Sequence, residues 1–142
     1  MFPHTVTLYY TLENEVTFEQ ESYITILRGV LMSASKAANV RTSGLEGADA
    51  VNLYVPFDVA AVDGLTGAPK TYVSPKEFEA STDKSRLWTI DRGQNCFFAK
   101  GEVVDTASNF QTINFRYDDV YKVTKVDRKD YGGLQHFEIG GA

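Results

Sequence analysis

Few residues in this chain have the types and spacing that chemistry needs. Ser33-Ala34-Ser35-Lys36 has the serine–lysine spacing of penicillin-binding enzymes, but the further motifs those larger enzymes need are absent. Gly64-Leu65-Thr66-Gly67-Ala68-Pro69-Lys70-Thr71 looks superficially like a phosphate loop. Pro69 stands where the glycine before the lysine should be, and it has no N–H to offer a phosphate, so a loop entering a strand is the better reading. Asp118-Asp119 is a candidate carboxylate pair. Neighbours on a strand point to opposite faces, so a turn or helix end suits them better. His4 and His136 are the two histidines, at opposite ends of the chain, and would meet only if their strands were adjacent. The single cysteine, Cys96, has no neighbour that would activate it and reads as a small buried hydrophobe. Trp88, Tyr72, Phe97 and Phe98 read as core. No catalytic, metal or cofactor residues are expected, and the chain is not expected to be an enzyme.

The composition bounds the fold more than the function. In 142 residues, 43% are hydrophobic and 13% aromatic, enough for one domain with one core. The aromatics and the many Val and Thr favour strands. Fourteen basic against 19 acidic residues give a formal charge of −5, whereas a protein that grips phosphates carries a basic excess. One cysteine excludes an internal disulfide. The N-terminal MFPHTVTLYY lacks the basic-then-apolar pattern of a signal peptide, and no apolar run approaches a membrane span.

The elements that must carry these residues are mostly strands. Thr5–Leu12 alternates, and Ser22–Met32 is long and apolar, with Gly29 marking a bulge or bend. Residues 33–49 are small, polar and glycine-bearing, and read as a long loop, with a short helix over Ser35–Asn39 as the main alternative. Ala50–Phe57 is a strand, residues 58–69 a second loop with Asp63-Gly64 and Thr66-Gly67 as turn signals, and Lys70–Val73 a short strand. Ser74-Pro75-Lys76-Glu77 opens a short helix through a capping box with proline at the first helical position. Arg86–Asp91 and Cys96–Val104 are expected to form a hairpin. Residues 106–117 suit helix or strand, with helix favoured by the spacing of Phe110, Ile113 and Tyr117. Tyr117–Gly140 ends the chain as a hairpin turning through residues 127–133, with Val120, Lys122, Thr124 and Val126 on one face. The expected fold is mainly β: a small β-barrel or compact sandwich of about seven to eight strands, with one or two short helices and a long loop at 33–49.

A series of short motifs in a fixed order resembles a family of small tailed-phage structural proteins from siphophages and prophages of Gram-positive bacteria. It starts at Phe2-Pro3-His4-Thr5-Val6-Thr7 and Leu27-Arg28-Gly29-Val30-Leu31, followed by Ser35-Lys36. It continues through Pro56-Phe57, Pro75-Lys76-Glu77-Phe78, Asp83-Lys84, Trp88-Thr89-Ile90, Lys100-Gly101-Glu102 and Tyr117-Asp118-Asp119-Val120. It ends with Val126-Asp127, Lys129-Asp130-Tyr131-Gly132-Gly133 and the run from His136 to Gly141. The resemblance implies a neck component, a stopper or head-completion protein in a homo-oligomeric ring between portal or adaptor and tail. A tail-terminator or tail-tube protein is the second reading, and a small-ligand-binding barrel the third. The implied partners are other neck proteins (adaptor, portal, tail terminator), with packaged DNA passing nearby unread and no membrane. The implied location is the virion, assembled in the host cytoplasm. The contact residues expected on this reading are Ser35, Lys36, Asn39, Arg41, Thr42 and Leu45, facing the channel or a neighbouring ring.

Overall fold

Val6, Leu8 and Tyr10 alternate with Thr5, Thr7 and Tyr9, and this period of two builds the strand around which the sheet forms. The computed structural model describes residues 3–13, 20–34, 51–91, 96–103, 110–117, 119–129 and 135–142. They form β1 (His4–Glu13), β2 (Gln20–Ala34), β3 (Val51–Pro56), β4 (Ala60–Asp63), β5 (Thr71–Tyr72), α1 (Pro75–Ala80), β6 (Leu87–Trp88), β7 (Cys96–Lys100), α2 (Phe110–Arg116), β8 (Val120–Lys129) and β9 (His136–Gly141).

The main sheet runs β1-β7-β8-β9-β3-β2-β4, and β1 also pairs with β2. Six strands therefore close into an antiparallel barrel, with β4 added beside β2. Its interior is filled by inward positions from every barrel strand: Val6 and Leu8, Leu27, Leu53, Phe98, Val123 and Ile139 are each at most 2% exposed. Trp88 and Ile90 join this core, and Phe78 enters it from α1. A smaller cluster lies on the outer wall, where Tyr9, Phe97, Ala99 and Val120 pack against Ile113 of α2. Thr7 ties the chain after β7 to the same wall: its hydroxyl donates to the Gly101 carbonyl at 2.7 Å and accepts from the Val103 N–H at 2.9 Å.

Two bulges set which side chains face inward. Leu27 and Val30 are three residues apart yet both belong to the interior cluster. The pairing of β1 with β2 slips at this point, from Thr5 opposite Arg28 to His4 opposite Val30, and Gly29 takes the extra place with φ +90°. Gly29→Ala puts a side chain on that left-handed backbone and is expected to lower stability by about 1 kcal/mol in urea titrations. In β8 the register slips between Val123 and Lys125, so Val123 and Val126 both pack on the interior. The strict alternation of Val120, Lys122, Thr124 and Val126 on one face is thus corrected: Val120 belongs to the outer cluster and Val126 to the interior.

Other departures from the sequence reading have similar local causes. Residues 58–69 are not one loop; Ala60–Asp63 adds a strand to β2, pairing Arg28 with Ala60 through Thr25 with Asp63. β6 and β7 do not form a hairpin. β6 pairs in parallel with β5, and β7 inserts between β1 and β8. The Ser74 cap is as expected, its hydroxyl accepting from the Glu77 N–H at 3.3 Å with Pro75 opening α1. The ambiguous segment is helical at Phe110–Arg116, and β8 and β9 pair as the closing hairpin. β9 ends under a tight roof: a Cβ on Gly141 would lie 2.8 Å from Val51 Cγ1 and 2.9 Å from Phe98 Cζ.

Candidate functional site

Among the described residues, the most built polar arrangement lies where β4 turns back under β2. Asp63 ends β4, and its Oδ2 accepts from the N–H groups of Leu65 (2.9 Å) and Thr66 (2.8 Å). The Asp63 carbonyl accepts from the Gly67 N–H at 2.9 Å, and Gly67 adopts φ +77°. These bonds are the turn chemistry that Asp-Gly and Thr-x-Ala segments favour. They bring Lys70 back beneath the strand, where its side chain is 1% exposed.

The Lys70 ammonium donates to the Ile24 carbonyl at 3.1 Å and to Thr25 Oγ1 at 3.0 Å, and pairs with Asp63 Oδ1 at 3.3 Å. Three donors thus meet three acceptors. Burial pushes the Lys70 pKa below the usual lysine value, and the attraction of Asp63 offsets only part of that. Burial also acts to raise the Asp63 pKa, but the Thr66 and Leu65 N–H groups and the nearby Lys70 outweigh it and hold the carboxyl below its ordinary range. With every donor engaged, this amine rivets β4 to β2 rather than waiting for a substrate. The phosphate-loop likeness therefore ends here: Pro69 bridges Val62, and Lys70 points at β2.

Above the turn lies an open cleft of about 440 Å³, with Tyr23, Leu65, Asp83, Lys84 and Ser85 among its walls. Several of its polar groups are already engaged. Ser85 donates to Asp83 Oδ1 through its hydroxyl (2.6 Å) and its N–H (3.0 Å). Lys84 donates to the Ser81 carbonyl at 2.7 Å, with its ammonium 5.9 Å from the Phe78 ring centre.

The remaining sequence candidates are dispersed. His4 lies on β1 and His136 on β9, strands that are not neighbours. His4 Nδ1 accepts from the Met32 N–H at 2.9 Å, and His136 Nε2 lies 3.2 Å from Glu138 Oε2. Cys96 is buried, which pushes its thiol up to about 12 despite a hydrogen bond to the Asp91 backbone. Trp88 and Phe98 sit in the barrel interior with Tyr72 packed against it, while Phe97 stacks on Tyr9 at 4.7 Å on the outer wall. Asp119 is exposed and accepts from the Tyr121 hydroxyl at 3.2 Å; Asp118 lies outside the described residues. Ser35, Lys36, Asn39, Arg41, Thr42 and Leu45 also lie outside the described residues. Among the described residues, no group of three or more His, Cys, Asp or Glu side chains could hold a metal ion, and no helix is long and apolar enough to cross a membrane.

Two features were missed in the sequence. The buried Lys70 gave no signal beyond following a strong turn. Phe115 gave a clear one: the stripe of Phe110, Ile113 and Tyr117 that marks the helix leaves Phe115 off that face. It is 90% exposed, beside exposed Asn114 and Arg116.

No curated protein and no solved structure matches the chain. A family model does: that of DUF6751, a family of unknown function, matches residues 1–142, and the chain belongs to that family.

Proposed function

We propose that the chain is a structural component of a tailed-phage neck, a stopper or head-completion protein that joins portal or adaptor to tail and helps retain packaged DNA. The supporting observation is a closed barrel whose interior is filled by its own side chains. Such a barrel is a rigid block that works through its outer surface. The resemblance of the motif series to siphophage structural proteins directs this reading to the neck, and the net charge of −5 suits a channel wall that does not hold DNA. Partner and channel contacts fall to Ser35, Lys36, Asn39, Arg41, Thr42 and Leu45, between β2 and β3.

Deleting the gene from the phage should leave free tails and unjoined heads that lose their packaged DNA. Tails of uncontrolled length on normal heads would favour the tail-terminator reading instead. Normal infectious particles would contradict both. Deleting residues 37–44 alone should leave the purified chain with wild-type circular dichroism and cooperative melting, because the barrel strands remain, while joined particles fall at least about tenfold. Plaque titre and negative-stain counts of joined particles measure this.

A further inference from the structure

Asp63 and Gly64 form the chain's single Asp-Gly pair, and the chain has no Asn-Gly pair. Such a pair is chemically labile. The backbone nitrogen of Gly64 can attack the side-chain carboxyl carbon of Asp63, losing water and closing a succinimide. Hydrolysis takes a water back and opens the ring on either side, giving aspartate or isoaspartate. With no Cβ on the second residue, nothing hinders the attack. The fold nevertheless demands both residues. A Cβ on Gly64 would lie 2.5 Å from Ile24 Cγ2, well inside the separation of about 3.5–4.0 Å at which carbons pack, so only glycine fits there. Asp63 is needed one position earlier, because its carboxylate pairs with the buried Lys70 ammonium and accepts from the Leu65 and Thr66 N–H groups.

The contacts that demand the pair also restrain its reaction. The Gly64 N–H donates to the Ile24 carbonyl at 2.9 Å, so the attacking nitrogen is held in a bond between β4 and β2. The Thr66 hydroxyl adds a third donor to Asp63 Oδ2 at 3.2 Å, and Lys70 holds Oδ1. Ring closure needs the nitrogen released and the carboxyl swung off all of these donors. It also needs that carboxyl protonated before water can leave, and the same donors hold Asp63 below the ordinary carboxylate range. The reaction in the folded chain is therefore limited by how often this turn opens. Its product does not fit back. Isoaspartate adds one carbon to the main chain and takes one from the side chain. That shift moves the carboxylate off its donors and leaves a buried ammonium without its counter-charge.

We propose that Asp63-Gly64 is a latent isoaspartate site: the folded chain keeps it closed, and a chain that ages unfolded is modified there and cannot rebuild the Lys70 anchor. The test incubates the full-length chain, native and in guanidinium, for the same time at physiological temperature and mildly acidic pH. Peptide mapping by mass spectrometry locates the modified residue, and methyl transfer by an isoaspartyl methyltransferase counts it. The denatured chain should accumulate isoaspartate at position 63, and the native chain at least about tenfold less. Lys70→Met removes one of the restraints, so under native conditions it should react at least about threefold faster than wild type. After transfer out of guanidinium, the isoaspartyl fraction should unfold at a lower urea concentration than unmodified chain handled in the same way. A native chain that reacts as fast as the denatured one would overturn the proposal. So would a denatured chain that stays unmodified at position 63, a Lys70→Met variant no faster than wild type, or an isoaspartyl fraction with the wild-type urea midpoint.

Discussion

Replacing Asp63 with alanine is expected to destabilise the fold by about 4 kcal/mol, because it leaves the Lys70 ammonium buried without its counter-charge and removes the acceptor that shapes the following turn. The loss should be strongly non-additive. In Asp63→Ala with Lys70→Met there is no buried charge left to strand, and methionine fills much of the same volume, so the double variant should recover about 1–2 kcal/mol relative to Asp63→Ala. Urea titrations of the four proteins in the cycle measure this directly. A double variant no more stable than Asp63→Ala would mean that the turn, not the ion pair, carries the effect.

The same pair fixes a pH dependence. The folded-state pKa of Asp63 lies below its ordinary value. Its contribution is therefore fully present above the unfolded carboxylate pKa of about 3.9 and is lost as pH falls through the lower folded value. Lys70 is also depressed, so the unfolded chain holds that proton more tightly. Stability should then rise with pH between the depressed lysine value and the unfolded one of about 10.4. Asp63→Ala should flatten the acid limb of the urea midpoint, since the titrating group is gone.

The second large effect is expected at Phe78. This side chain is 0% exposed although it comes from a helix of one and a half turns. Its ring meets Tyr10 edge-on at 5.4 Å and Tyr23 edge-on at 5.1 Å, so α1 is pinned to the barrel by one aromatic plug. Phe78→Ala should cost about 4 kcal/mol through lost burial and an unfilled cavity, with the melting temperature falling by roughly 10 °C. Phe78→Leu keeps most of the volume and should lose well under half as much. Differential scanning calorimetry separates the two. An alanine variant within about 1 kcal/mol of wild type would mean that the barrel closes without the plug.

How far the fold was legible follows from how local each signal is. β1, β2, β3 and the β8–β9 hairpin announce themselves by alternation and by turn residues, and Gly29 marked its bulge by being the one residue free to take φ +90°. The Ser74 cap and α2 were readable for the same reason, since a cap and a helical stripe are complete within a few residues. Pairing was not readable where it depends on distant strands. Cys96–Lys100 follows Leu87–Trp88 closely in sequence, yet its neighbours are β1 and β8. β4 was hidden because four residues between turn signals carry little pattern of their own. The slip at Thr124 left no glycine to betray it, and so the faces of β8 were assigned wrongly after Val123. The buried role of Lys70 was invisible because Ile24 and Thr25, which accept its protons, lie 46 and 45 positions away in sequence. The proposed contact residues from Ser35 to Leu45 lie outside the described residues, so their role rests on the particle experiments.

The most direct measurement of the proposed neck role is a cryo-EM reconstruction of the neck of virions from a phage whose genome encodes this chain. A ring of copies of the six-stranded barrel should stand between the portal vertex and the tail. A neck fully accounted for by other proteins, with this barrel found elsewhere or not at all in the particle, would contradict the neck role.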